Sequence, residues 1–301
     1  MPPELLQLEK TFGSSILSKI DDPLLQHHHI ELWLKRDDLL HPVVSGNKWR
    51  KLKHILAHAL SLDAHTLISM GGAYSNHLHA LAFVGNALGL KTAAFVRGEQ
   101  GRSLTPTLQD AHDWGMALNF VSRTTYRELR NYKGWQDLPD LQAGQYWLPE
   151  GGAQPLALQG VAELTAEIDI PYDMLCAPCG TGTTLAGLIG AAPAHAHVTG
   201  FAALKNAGFL HDDVGHLLAR PYPNWHINLD YHGGGFAKIS PELIDFINHF
   251  QTKTSITLEP VYTGKMLFGL YDLIKQGAFK PGQKIIALHT GGLQGNRGFN
   301  F

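Results

Sequence analysis

Cysteine is nearly absent, with two residues in 301, so no disulfide framework holds this fold. Both lie in one Cys176-x-x-Cys179 pair, and a structural zinc site would need two further ligands. Pro178 and the Gly180-Thr181-Gly182 that follows suit a tight strand-to-helix turn rather than a redox pair. Charge is sparse and balanced. Lys and Arg total 24 against 26 for Asp and Glu, a net of −2, and the pI is near 6.8. That balance offers neither a nucleic-acid backbone nor an anionic membrane surface much to bind. No apolar run approaches the roughly 18 residues of a membrane span. Met1-Pro2-Pro3-Glu4 lacks the basic start and apolar core of a signal peptide, so a reducing cytoplasm is the expected setting. Internal repeats and low-complexity stretches are missing too.

Ample core material is present, since 44% of the chain is hydrophobic. The length suggests two domains at about 150 residues each. Two residue types are in excess: 32 glycines and 18 histidines. The hydrophobic pattern alternates between short strand-like runs and longer helical ones. Strands are expected at 30–35, 66–69, 92–96, 117–121, 174–177, 198–202 and 284–288. Helices are expected at 49–62, 76–88, 105–114, 156–168, 183–189, 241–250 and 265–275. Such alternation means βαβ units, with parallel sheets covered by helices on both faces. Ligands of such sheets bind beyond the carboxyl ends of the strands. Three strands run into glycine-rich loops there: Ser69-Met70-Gly71-Gly72, Cys179-Gly180-Thr181-Gly182 and His289-Thr290-Gly291-Gly292. The segment 126–144 is polar and aromatic with weak periodicity, and reads as an excursion near a domain boundary.

Three segments could carry chemistry. Gly180-Thr181-Gly182-Thr183-Thr184 follows a strand and opens a helix, so its amides and hydroxyls could cradle a phosphate or simply make a tight turn. It has neither the Gly-Lys-Ser/Thr of a P-loop nor a dinucleotide fingerprint. Lys48 sits at an expected helix start. The helix dipole disfavours its ammonium there, the direction a nucleophilic amine needs, although a lone lysine is usually just solvated. Lys51 and Arg50 make the segment locally basic. Ser75 can cap the helix that begins at Asn76, and the amides of that helix start could equally hold a carboxylate. His27, His28, His29, His195 and His197 fall in loops with no convincing ligand spacing, so no metal is expected.

Taken in order, seven segments resemble the pyridoxal-phosphate enzymes of fold type II, and within them the 1-aminocyclopropane-1-carboxylate (ACC) deaminase and D-cysteine desulfhydrase family. They are Lys35-Arg36-Asp37-Asp38-Leu39, Gly46-Asn47-Lys48-x-Arg50-Lys51-Leu52, Ser75-Asn76-His77, Leu148-Pro149-Glu150-Gly151-Gly152-Ala153, the loop 180–187, Leu258-Glu259-Pro260-Val261-Tyr262-Thr263-Gly264-Lys265, and His289-Thr290-Gly291-Gly292. The resemblance spans roughly residues 30–295. It implies an α/β fold of two open, twisted, mostly parallel sheets flanked by helices, as in the tryptophan synthase β-like enzymes. Residues 41–150 would form a smaller α/β domain inserted between residues 1–40 and 151–301 of a larger cofactor-binding domain. The resemblance further implies pyridoxal 5′-phosphate as cofactor, a small amino acid as substrate, and a homodimer. Lys48 would hold the cofactor covalently and shuttle the substrate's proton. Lys51 with Gly180, Thr181, Gly182, Thr183 and Thr184 would hold the phosphate, and Asn76 would bond the phenolic oxygen. Ser75, Asn76 and His77 would receive the substrate carboxylate. Tyr262 would act near the substrate as acid or base, beside Thr263 and Thr290.

Two positions bear on the branch. Thr263 stands where the ACC deaminases carry glutamate, and Thr290 where they carry leucine; the Thr/Thr pair resembles the desulfhydrases. A carboxylate beside a pyridine nitrogen keeps it protonated, whereas a threonine hydroxyl shares only a neutral hydrogen bond. The shallower electron sink suits loss of a good leaving group such as thiolate. The chain departs from the family pattern at Phe236-Ala237, where a Tyr-Gly element is usual, and at Tyr74 and His79 beside the Ser75 motif. The expected activity is α,β-elimination from D-cysteine, giving pyruvate, ammonia and sulfide. ACC deamination and non-catalytic binding of the cofactor are the alternatives.

Overall fold

The computed structural model describes residues 1–299. Along the chain run α1 (Pro3–Glu9), β1 (Leu17–Ile20), α2 (Pro23–His27), β2 (Glu31–Arg36), α3 (Asn47–Ser61), β3 (Thr66–Gly71), α4 (Asn76–Ala87), β4 (Lys91–Arg97), α5 (Pro106–Asp113), β5 (Met116–Val121), α6 (Arg123–Leu129), β6 (Gln145–Trp147), α7 (Pro155–Ala166), β7 (Met174–Cys179), α8 (Thr183–Ala191), β8 (His197–Ala202), α9 (Leu210–Leu217), β9 (Trp225–Asn228), α10 (Pro241–Thr254), α11 (Thr263–Lys275) and β10 (Lys284–His289). The strands form two sheets, one ordered β1-β2-β10-β7-β8-β9 and the other β5-β4-β3-β6. Every strand pair is parallel except the edge pair β1–β2. The chain leaves the larger sheet after β2, completes the smaller one, and returns at β7. The α/β class and the mostly parallel sheets agree with the sequence.

The strands explain their own placement. Central parallel strands are covered on both faces and read as continuous apolar runs. Ile285, Ile286, Ala287 and Leu288 of β10, and Leu175, Cys176 and Ala177 of β7, are all buried. Leu32 and Leu34 of β2 join Ile285 and Ala287 in a core with Leu258, Met266, Leu267 and Leu270 from the α11 side. The opposite face packs Leu175, Ala177, Ile286 and Leu288 against Leu185, Leu188 and Val161. A separate core of Leu52, Ile55, Leu56, Leu67, Leu78, Leu81 and Val96 lies beneath the smaller sheet.

All the strands and helices expected from periodicity occur. Additional elements are short or lie at edges: α2 has five residues, started by Pro23 and the Asp22 cap, and β9 is a half-exposed edge strand. The polar segment after residue 126 is anchored by Tyr126, Leu129 and Leu138 around Met70 and Trp147. Helix α3 starts at Asn47, two residues earlier than the periodicity indicates, which puts Lys48 inside its first turn.

A buried ionic network fixes α3 to the larger sheet. Arg50 Nε and Nη2 donate to the two Asp37 oxygens at 3.2 and 2.9 Å. Arg50 Nη2 also donates to Glu167 Oε2 at 2.8 Å, and Nη1 donates to Oε1 of the same carboxylate. Lys35 of β2 reaches Glu167 at 2.7 Å, and Ser15 Oγ donates to Asp37 at 2.6 Å. Asp37 also receives the Gly46 amide on its carbonyl. Asp37 is fully buried and Arg50 is 4% exposed. Substituting Arg50→Met strips a buried carboxylate of its counter-charge. It is expected to cost about 3–5 kcal/mol in urea unfolding, in the range for breaking a buried pair. A loss below about 1 kcal/mol would mark the pair as no better than a surface salt bridge.

Candidate active site

The candidate site forms where the N-termini of α3, α4, α8 and α11 and the ends of β3, β7 and β10 converge. Gly46 makes the approach of α3 possible. Its φ is +68°, and a Cβ there would overlap the Thr290 carbonyl, which accepts the Asn47 amide. Asn47 then ties α3 to α8, donating from Nδ2 to Thr184 Oγ1 at 2.8 Å. The same side chain accepts Lys48 Nζ on Oδ1 at 2.5 Å. Burial pushes the Lys48 amine down to about 8, opposed by the Glu259 carboxylate. Lys51 lies one turn on, on the same helix face, and its Nζ donates to the Gly151 carbonyl at 3.3 Å. Burial pushes it down to about 7, and the like charge of Lys48 adds to the effect.

Helix α8 begins after Gly182, and its first internal bond runs from the Ala186 amide to the Gly182 carbonyl. The amides of Thr183, Thr184 and Leu185 therefore point out of the helix end. Thr181 and Thr183 share a hydroxyl contact at 3.2 Å in the same loop. Helix α4 begins at Asn76. Ser75 caps it, taking the Leu78 amide on Oγ and the His79 amide on its carbonyl. The Asn76 and His77 amides are left without an acceptor among the described residues. Both ends are anion sites in the making.

Helix α11 differs. Its N-terminus is filled by Glu259, a buried carboxylate that accepts the amides of Val261 at 2.7 Å, Tyr262 at 2.9 Å and Thr263 at 2.5 Å. Burial raises the Glu259 carboxyl while these amides and Lys48 pull it down. Glu259 lies within the 258–265 segment, and sequence reasoning assigns it no role of its own. Its signal was an acidic residue four positions before a helix start, the offset of an N-terminal cap. The cap turns the buried Thr263 hydroxyl toward Thr290 Oγ1, 3.2 Å away across the end of β10.

The remaining expected residues divide. Asn76 Oδ1 accepts Gln294 Nε2 at 2.5 Å, and its amide NH2 makes no hydrogen bond among the described residues. Tyr262 lies against Gly180, and burial raises its hydroxyl well above the ordinary tyrosine range. The His77 side chain turns beneath β3 rather than toward the α4 end. Ser69 Oγ donates to the Leu148 carbonyl at 2.7 Å, so it must accept from His77 Nε2 at 2.9 Å. His77 Nδ1 is then a buried acceptor with no partner among the described residues. Burial and the two lysines hold His77 down at about 3. His79 does not face the site; it bonds Asp110 at 2.8 Å and packs on Trp114. Cys176 and Cys179 are free and buried, and burial pushes both thiols up, Cys179 to about 12, which makes them inert. Among the described residues, no group of three or more His, Cys, Asp or Glu side chains is placed to hold a metal ion, and no helix is long and apolar enough to cross a membrane.

Residues 20–291 match the model of the family described as "Pyridoxal-phosphate dependent enzyme". The chain belongs to this family. A mitochondrial bifunctional D-cysteine desulfhydrase/1-aminocyclopropane-1-carboxylate deaminase of Arabidopsis thaliana is 30% identical over 88% of this chain and 73% of its own. The crystal structure of an ACC deaminase homologue superposes with a TM-score of 0.80 at 25% identity, covering 98% of this chain and 97% of that one. An L-serine ammonia-lyase from Rhizomucor miehei shares the fold alone, with a TM-score of 0.66 at 15% identity over 93% of this chain and 94% of that one. The protein is thus a fold type II enzyme of the ACC deaminase/D-cysteine desulfhydrase family, and its cofactor is pyridoxal 5′-phosphate.

The residues present fit that group. The outward amides and hydroxyls of the α8 end suit a phosphate dianion, Lys48 supplies a half-buried amine, the Asn76 NH2 is a spare donor, and Thr263–Thr290 offers a neutral partner to a ring nitrogen. The depressed Lys48 amine has a direct check in the cofactor-free protein. Acylation of Lys48 by acetic anhydride, followed by peptide mass spectrometry, is expected to rise with pH to a midpoint near 8. Exposed lysines should titrate near 10.4. A Lys48 midpoint in the surface range would remove its claim to special reactivity.

Proposed function

We propose that this enzyme is an α,β-eliminating lyase of a small amino acid, with D-cysteine as the model substrate. The observation that carries this reading is the Thr263–Thr290 hydroxyl pair, 3.2 Å apart and buried. Among the described residues no carboxylate bonds to either hydroxyl, and Glu259 spends its oxygens on backbone amides. A neutral hydroxyl leaves a ring nitrogen less polarised than a carboxylate would. That suffices for expelling thiolate and falls short for opening a cyclopropane that has no α-hydrogen.

Bound pyridoxal phosphate supplies the electron sink beside the α-carbon. The protein supplies the rest. The α8 end and Lys51 hold the phosphate, and Asn76 donates to the phenolic oxygen. The free Asn76 and His77 amides, with the Ser75 hydroxyl, hold the substrate carboxylate. Lys48 anchors the cofactor and takes the α-proton on Nζ, a task its lowered pKa suits. Tyr262 stays protonated near neutral pH, so its hydroxyl acts as donor to the departing sulfur rather than as base. The Cα–H and Cβ–S bonds break, sulfide leaves with a proton, and one water converts the remainder to pyruvate and ammonium. A homodimer in a reducing cytoplasm completes the reading, supported by the family resemblance and the two free cysteines.

Purified protein given cofactor is expected to turn yellow, and Lys48→Ala to lose that visible band. Turnover of D-cysteine should release pyruvate and sulfide in equal amounts, with L-cysteine and ACC run beside it. Release of 2-oxobutyrate from ACC with no product from either cysteine would overturn the reading in favour of the deaminase. Colour without turnover of any of the three would favour a binding protein.

A further inference from the structure

The loop between β9 and α10 holds backbone that needs support. Gly233, Gly234 and Gly235 have φ of 60°, 89° and 126°, and Ala237 has φ of 54°. A non-glycine residue in that region costs about 1–3 kcal/mol and persists where the surroundings over-determine it, which happens mostly at functional sites. The surroundings here are a row on α11. Lys265, 2% exposed, donates Nζ to the carbonyls of His232 at 2.8 Å and Gly235 at 2.7 Å. Tyr231 packs on Gly269, where a Cβ would meet its ring at 2.5 Å, and its hydroxyl donates to Asp272 at 2.7 Å. Lys265, Gly269 and Asp272 follow one another at helical spacing.

What this scaffold presents is Phe236. Its side chain is 46% exposed, and its ring stands edge-on to Tyr262 with centroids 6.0 Å apart at 66°. A scattered exposed phenylalanine needs no explanation. This one is flanked by strained backbone, clamped by a buried cation, and set against the tyrosine assigned to the departing group.

We propose that Lys265 is a positioning residue that holds Phe236 as an apolar wall beside Tyr262, and that the preferred substrates are cysteines carrying an apolar group on sulfur. The inference rests on the lyase reading above and names its substrate class. Elimination from such a substrate breaks the same Cα–H and Cβ–S bonds. The thiol RSH leaves in place of sulfide, and one water again yields pyruvate and ammonium.

The test compares S-benzyl-cysteine with unsubstituted cysteine, both of one enantiomer, on the cofactor-loaded enzyme. The parent protein is expected to prefer the benzyl compound in kcat/KM. Phe236→Ala should cut that preference about tenfold, the scale of one lost apolar contact in a pocket. Lys265→Met should cut it similarly and speed amide hydrogen exchange at residues 233–238, with Lys265→Arg restoring part of both. Phe236→Ala leaves the Lys265 clamp on the loop carbonyls in place, so it decides the matter if Lys265→Met does not fold. Absence of the visible band in the parent protein overturns the lyase reading and this one with it. A normal band with no benzyl preference, or one that Phe236→Ala leaves intact, overturns this inference alone. Unchanged exchange at 233–238 in Lys265→Met overturns the positioning role.

Discussion

The Asp37–Arg50 pair is the constraint on which the site depends. Each sheet has its own core, and α3, the first element after the larger sheet is left, carries Lys48. Hydrophobic packing alone would hold α3 in place without fixing its rotation. The guanidinium of Arg50, two residues after Lys48, is planar and meets Asp37 with two donors, a geometry that sets direction as well as distance. Its remaining contacts go to Glu167, just past the end of α7, which also binds Lys35 of β2. Sheet, α3 and α7 are thereby locked by one set of charges. Apolar residues of similar volume could be equally stable, so what the ions add is the angle at which Lys48 enters the cleft. The Asp37 carbonyl completes the arrangement by receiving the Gly46 amide at the point where the chain turns into α3.

Besides that of α3, three helix N-termini meet at the site, and the chain treats them differently. Those of α4 and α8 keep unbonded amides, which makes them places for external anions. That of α11 is closed by its own glutamate. Left open, the α11 end would present a third anion site close to Thr263. Closed by Glu259, it becomes rigid instead. It also gains a negative charge that partly offsets the burial of Lys48 and Lys265. The same carboxylate therefore positions a neutral hydroxyl pair and moderates two buried amines.

Much of this was legible from the chain, and the limits are physical. Long amphipathic helices and buried parallel strands announce themselves by period, so β7, α8 and β10 could be read directly. Short edge elements such as β1 and β9 have too few residues to set a period. Lys48, Ser75 and the 180–184 loop stood out because glycine and capping residues mark strand-to-helix turns. The turn of His77 beneath β3 was invisible, since it follows from Ser69 donating to Leu148, a contact spanning 79 positions. The contacts of Asn47, Glu259 and Lys265 were equally hidden. Each acts through backbone or side-chain partners supplied by the tertiary fold, and only Glu259 leaves a spacing signal, four positions before the start of α11.

The electrostatics of the site follow from crowding bases into a largely buried space. Lys48, Lys51 and His77 are each pushed down, chiefly by burial; Lys48 further lowers Lys51, and both lysines further lower His77. Without an anion, the cheapest state keeps some of these groups neutral. A dianion at the α8 end reverses the sign of the local field, and the ammonium forms become favourable where the negative charge is closest. Lys51 Nζ bonds the Gly151 carbonyl at 3.3 Å, while Lys48 Nζ is bonded to Asn47 Oδ1. Two lysines three residues apart on one helix thus meet different partners. What separates them is Asn47, which holds Lys48 Nζ and donates to Thr184, and has no bond to Lys51.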